Sequence, residues 1–118
     1  MSLATQLFAL LYRTTAAGVR VYPMAAPDQT QAPFITYRRV SATNENVLDG
    51  SSVNLCNTRI QVDIFSKTYA QAISIASEVD VVMCTGFAQI ASLQAQDMYE
   101  AEVDLYRVLA EYSIWHAP

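Results

Sequence analysis

Residues 55 to 65, Leu-Cys-Asn-Thr-Arg-Ile-Gln-Val-Asp-Ile-Phe, alternate apolar or small side chains with polar ones. In an extended chain, Cys56, Thr58, Ile60, Val62 and Ile64 point one way, and Asn57, Arg59, Gln61 and Asp63 point the other. A period of two is the signature of a half-buried strand in an antiparallel sheet, with one dry face and one wet. Such a strand calls for partners at its edges and a cover over its apolar side.

The flanking sequence supplies both. Leu3, Leu7, Leu10 and Leu11 recur at helical spacing with Phe8 beside them, and Ser2 stands where an N-cap belongs. Gly18 offers a stop, after which residues 19 to 22 form a short β-prone run closed by Pro23. Residues 24 to 31 have no periodicity and read as a loop. The run from Pro33 to Val40 is extended, with Phe34, Thr36, Arg38 and Val40 on one side and Ile35, Tyr37 and Arg39 on the other. Neither side is cleanly apolar, as expected where both faces find partners.

Residues 41 to 54 are rich in Ser, Thr and Asn and contain Asp49-Gly50, so they read as a long loop, one that either has a function, orders on meeting a partner, or is a solvated, flexible hairpin connection. Thr68-Tyr69-Ala70-Gln71 matches a capping box and opens a second helix with the buried stripe Ala72, Ile75, Ala76, Val79, Val82 and Met83. Beyond Gly86, residues 87 to 96 and 104 to 116 read as two strands joined by the polar stretch 97 to 102. In the last strand Tyr106, Val108, Ala110, Tyr112 and Ile114 share one face, and Arg107, Leu109, Glu111, Ser113 and Trp115 share the other. This order predicts an α+β fold with a mostly antiparallel sheet and two helices packed on one face, in a single domain spanning residues 1 to 118.

Composition narrows the function. Apolar residues make up 53% of the chain and charged ones 15%, against about 25% charged in an ordinary soluble domain. The surplus favours a subunit that buries part of its exterior against other copies. The formal charge is -4 and the seven Lys and Arg residues are scattered, so no basic patch for nucleic acid is visible. The start Met-Ser-Leu-Ala lacks the features of a secretory signal, and no run of about 18 apolar residues could span a bilayer, which points to a cytosolic setting and no membrane partner.

Cys56 and Cys84 lie in apolar stretches and are expected as buried thiols. The lone histidine, His116, stands at a strand end, and no Gly-x-Ser-x-Gly elbow is present. Gly18, Gly50 and Gly86 are isolated and make no phosphate-binding loop. The acidic group Asp97, Glu100, Glu102 and Asp104 lacks cation-loop spacing. No catalytic, cofactor-binding or metal-binding residue is therefore assigned.

One ordered set of motifs carries more information: Val21-Tyr22-Pro23, Pro33-Phe34-Ile35-Thr36-Tyr37, Leu48-Asp49-Gly50, Arg59-Ile60-Gln61-Val62-Asp63-Ile64-Phe65, Tyr69-Ala70-Gln71-Ala72, Leu105-Tyr106-Arg107 and Tyr112-Ser113-Ile114-Trp115-His116. It spans nearly the whole chain and resembles the tail-completion family of siphophages, prophages and gene transfer agents. The resemblance implies a non-enzymatic, tail-terminator-like virion protein. Such a protein is made in the host bacterial cytoplasm and forms a homo-oligomeric ring, commonly a hexamer, at the head-proximal end of the tail tube. Its partners would be itself, the tail tube protein and the head-tail connector proteins, with no specific nucleic-acid binding; an acidic channel lining would let DNA slide without sticking.

Contacts with these partners are expected at Arg38 and Arg39, at Asn44, Glu45, Asn46 and Asp49 in the long loop, at Asp97, Glu100 and Glu102 in the second connection, and at Leu109 and Trp115 on the outer face of the last strand. Another neck or tail component, such as a head-closure or tube subunit, would present similar features. A small ligand-binding or enzymatic domain would instead need a cavity lined by convergent polar groups.

Overall fold

The computed structural model describes residues 2–46 and 54–117, leaving aside the side chains of residues 43–46 and 54–55. In chain order the elements are α1 (Leu3–Leu11), β1 (Val21–Pro23), β2 (Phe34–Asn46), β3 (Asn54–Ser66), α2 (Tyr69–Gly86), β4 (Ile90–Glu100) and β5 (Leu105–His116). The strands form one sheet in the order β1-β2-β3-β5-β4. Only β1 and β2 run parallel; every other pairing is antiparallel. This is the α+β class anticipated from the order of the elements.

Local chemistry starts each helix. The Ser2 hydroxyl accepts the Thr5 N–H, and the Thr68 hydroxyl accepts the Gln71 N–H at 3.2 Å. The capping box closes differently from its sequence pattern. Buried Ser66, at the end of β3, donates its hydroxyl to the Gln71 side chain and accepts the Thr68 N–H, so it stands between the two groups that would otherwise meet. At the other end of α1, the helix stops at Leu11, well before Gly18. Arg13 and Gly18, both with φ 63°, form the reversal that follows, closed by the Arg13 N–H donating to the Gly18 carbonyl at 2.9 Å.

Both helices cover the same side of the sheet. Leu7 and Leu11 of α1 and Ala72, Ile75, Val79 and Met83 of α2 pack on Ile35, Tyr37, Ile60, Val62, Ile64, Val108, Ala110, Tyr112 and Ile114. Each Leu or Ile buried here contributes about 1.5–3 kcal/mol relative to exposure. Ala76 and Val82 are half-buried at the margin of the expected stripe. Tyr112 reaches through this layer and donates its hydroxyl to Asp80 at 3.1 Å; burial, and then the Asp80 carboxylate, push its phenol pKa upward. Gly86 lets the end of α2 approach α1, since a Cβ there would stand 2.5 Å from the Leu10 side chain.

Two sequence expectations about the connections fail for a common reason. Residues 41–46 and Asn54, read as loop, are strand, paired from Ser41↔Arg59 to Asn46↔Asn54. Likewise Asp97 and Glu100 lie within β4, which starts at Ile90 and continues until Glu100↔Leu105, leaving the turn at residues 101–104. Ladder hydrogen bonds use the backbone, so an adjacent strand can extend a polar segment that its side chains would not favour. Asp49, with its Gly50, lies outside the described residues.

The cysteines also differ from expectation. Cys84 is exposed and Cys56 is partly buried. Met83 holds the core position on α2, so the next residue, turned by about 100°, faces outward.

The resulting molecule is long, at 53 × 24 × 23 Å, with a radius of gyration of 15.3 Å, where a compact chain of this length would have about 13.5 Å. Its accessible surface, 7078 Å², likewise exceeds the roughly 6,300 Å² expected for its mass.

Candidate assembly surface

The side of the sheet away from the helices is lined by polar groups arranged across the strands. Register places Arg38 opposite Gln61, Thr36 opposite Asp63, and Phe65 opposite Arg107. Arg38 donates to the Gln61 side-chain oxygen at 3.0 Å, and the Gln61 amide donates to Asp63 at 2.9 Å. Arg107 donates to the other Asp63 oxygen at 3.2 Å and to Glu100 at 3.0 Å, while its guanidinium lies over the Phe65 ring. Desolvation acts to lower the Arg107 pKa, but the hydrogen bonds to Asp63 and Glu100 outweigh it and hold the pKa above its ordinary value.

The sequence missed part of this row. Gln61 and Asp63, expected on a wet face, are buried. Stacked Phe34 and Phe65 and the segment from Met24 to Ala32 wall a groove of about 770 Å³ over this end of the sheet, which narrows their access to water. The signal was the placement of two polar residues mid-strand among apolar ones; what hid their burial was the loop above, which lacks periodicity. Every described buried side-chain polar atom is satisfied, so the row is a completed network.

The expected interface residues do not gather at one place. Arg38 belongs to the polar row, and Arg39, displayed on the helix side of the sheet, is exposed with no ion pair among the described residues. Asn44, Glu45 and Asn46 lie in the part of β2 that extends past β1. At the opposite edge of the sheet, the acidic residues part company. Asp97 accepts a hydrogen bond from Tyr69 on α2, Glu100 pairs with Arg107 on the other face, and Glu102 stands exposed on the turn beside Asp104, which accepts from Tyr99. The hydrogen bonds to these carboxylates raise the Tyr69 and Tyr99 pKa values. Leu109 is half-buried and Trp115 exposed, both on the open face.

Chemistry beyond binding finds little to work with here. His116 shares a hydrogen bond with Thr58 at 2.8 Å at the end of the sheet, and among the described residues no three His, Cys, Asp or Glu side chains stand together as metal ligands. Among those residues no helix is long and apolar enough to cross a membrane.

Among the described residues the geometry leaves a strand edge exposed, and comparison with known proteins gives the family. The family described as Tail completion protein gp17 matches residues 5–117. The chain belongs to this tail completion family. It is accordingly a structural protein of the phage tail, which associates with other virion proteins, and not an enzyme. A solved structure titled "Virion of native gene transfer agent (GTA) particle" shares the fold, with a TM-score of 0.60 at 15% identity over 95% of this chain and 84% of that one. No curated protein matches.

Proposed function

We propose that this chain, folded as one domain, closes into a homo-oligomeric ring, commonly a hexamer, at the head-proximal end of the tail tube. There it stops tube growth and joins the tail to the head connector. The observation that carries this reading is the match of the tail completion family along residues 5–117. The surface supports it: Met24, Val81, Val103 and Tyr99 are each more than half exposed on an elongated molecule that leaves a long strand edge open. A head-to-tail contact whose rotation closes generates a ring, and it presents different surfaces to the tube on one side and the connector on the other.

Deletion of the gene tests the assignment. Overlong or unjoined tails are expected, with heads and tubes otherwise intact. Absence of tails would place the chain in the tube, and complete tails with leaking heads would place it in head closure. Purified protein added to mutant tails should restore joining.

A further inference from the structure

Among the described residues the sheet has two long unpaired edges, and they differ in how they are protected. On one side β1 covers β2 only at Ile35, Thr36 and Tyr37, and β1 ends there with Pro23. Past that point, residues 39–46 of β2 have no strand against their outer edge among the described residues. On the other side β4 is paired only with β5, and its residues 91–97 are exposed on both faces. Natural sheets guard such edges with lysine, proline, short strands, charges or bulges; β4 is 11 residues long, contains neither lysine nor proline, and carries one bulge, between Ser92 and Gln94, and one charge at its middle, Asp97.

We infer that neighbouring copies of this chain join edge to edge, β4 of one running antiparallel along residues 39–46 of the next, with Asp97 opposite Arg39 and Ile90 opposite Asn46. This rests on the ring reading above and names the contact that would build it.

Four observations select a second copy as the occupant. The free stretches, 39–46 and 90–97, are equal in length. Each contains one bulge, between Arg39 and Ser41 and between Ser92 and Gln94, so directly opposed residues stay on a common face throughout. The charges complement: Arg39, without an ion pair among the described residues, meets Asp97, and both project on the helix side of the sheet. Finally, strand direction alternates from β2 through β3 and β5 to β4, so β4 is already antiparallel to β2, and a rotation about an axis along the sheet continues the alternation.

The stagger fits as well. Within one copy, Asp97 shares a row with Val108, Ile64 and Ile35. Pairing it with Arg39 of the next copy shifts that copy by four residues, about 13 Å, across a four-strand width of about 19 Å. That corresponds to a strand tilt of about 35°, within the range at which sheets close on themselves. β1, ending at the level of Tyr37, stops β4 from sliding further.

Cysteine cross-linking tests the register. In a Cys56→Ser, Cys84→Ser background, Ser41→Cys and Gln96→Cys face each other across the contact. Within one chain they lie on strands separated by two others, about 14 Å, too far for a disulfide. Oxidation of the double variant, alone and with tail tubes, should give a ladder of covalent oligomers ending in a closed species, and the single variants should give none.

Charge exchange provides a second measurement should that variant fold poorly. Arg39→Asp or Asp97→Arg should each lower oligomer yield by about tenfold or more, because like charges then face each other, and the pair together should recover it. Rings that form normally, without a ladder and without response to charge reversal, would overturn this contact and leave the ring standing. A wild-type chain that stays monomeric with tubes present would overturn both.

Discussion

β3 and β4 belong to one sheet and are similar in length, 13 and 11 residues, yet one is enclosed and the other open. β3 is paired along both edges, and its residues from Ile60 to Ile64 are buried, under the helices on one face and beneath Phe34, Phe65 and the segment from Met24 to Ala32 on the other. β4 is paired along one edge and exposed on both faces through residues 91–97. The difference teaches that the sheet's stability is concentrated in β3 and β5, which hold β4 in place while leaving its outer edge open, and the proposed assembly contact uses that edge.

The largest expected effect falls on the enclosed strand. Ile64→Ala leaves a cavity beneath the helices, and denaturant unfolding should show a loss of about 2–5 kcal/mol; a loss below 1 kcal/mol would mean that this layer is not close-packed. Next is Asp63→Ala, which strips Arg107 and Gln61 of their shared acceptor. The expected loss is about 1–3 kcal/mol, toward the lower end because the Arg107 side chain keeps 24% of its surface in solvent. A neutral result would show the polar row to be as wet as β4.

Tyr112→Phe removes one hydrogen bond, worth about 1 kcal/mol, and also changes the alkaline limb of stability. Because the folded phenol holds its proton above the ordinary value near 10, the unfolded chain releases it first as pH rises. Folding stability from this group is therefore complete below pH 10 and lost above it. Denaturation midpoints followed from pH 8 to 11 should fall less steeply in the variant than in the parent; parallel curves would exclude Tyr112 as a source of the fall. The smallest effect belongs to β4: Leu93→Ala, at an exposed bulge, should change monomer stability by no more than about 0.5 kcal/mol. A cost equal to that of Ile64→Ala would erase the distinction between the strands.

Much of this was legible in the sequence, and the limits have physical causes. The alternation in residues 55–65 identified β3, and the leucine and alanine stripes gave both helices and the side they cover. The tail completion family was legible in the ordered motifs. Residues 41–46 do not read as strand because their strand character comes from pairing with β3, a long-range contact that local composition does not encode. Asp97 and Glu100 were placed at a turn for the same reason. Of the candidate surface, Arg39 and Asp97 were singled out, but not that they stand at opposite free edges of one sheet; that follows from strand order, which a linear pattern leaves open. The burial of Gln61 and Asp63 beside half-buried Arg107 is not legible because the loop above them carries no periodicity.

Amide hydrogen exchange, compared between the free chain and the chain assembled on tail tubes, tests most directly whether the open strand is the assembly surface. The account predicts slow exchange along β3 in both states, and strong new protection on assembly within residues 90–97 and 39–46, at amides not already bonded within the subunit. Assembly that leaves both stretches exchanging as in the free chain would contradict it.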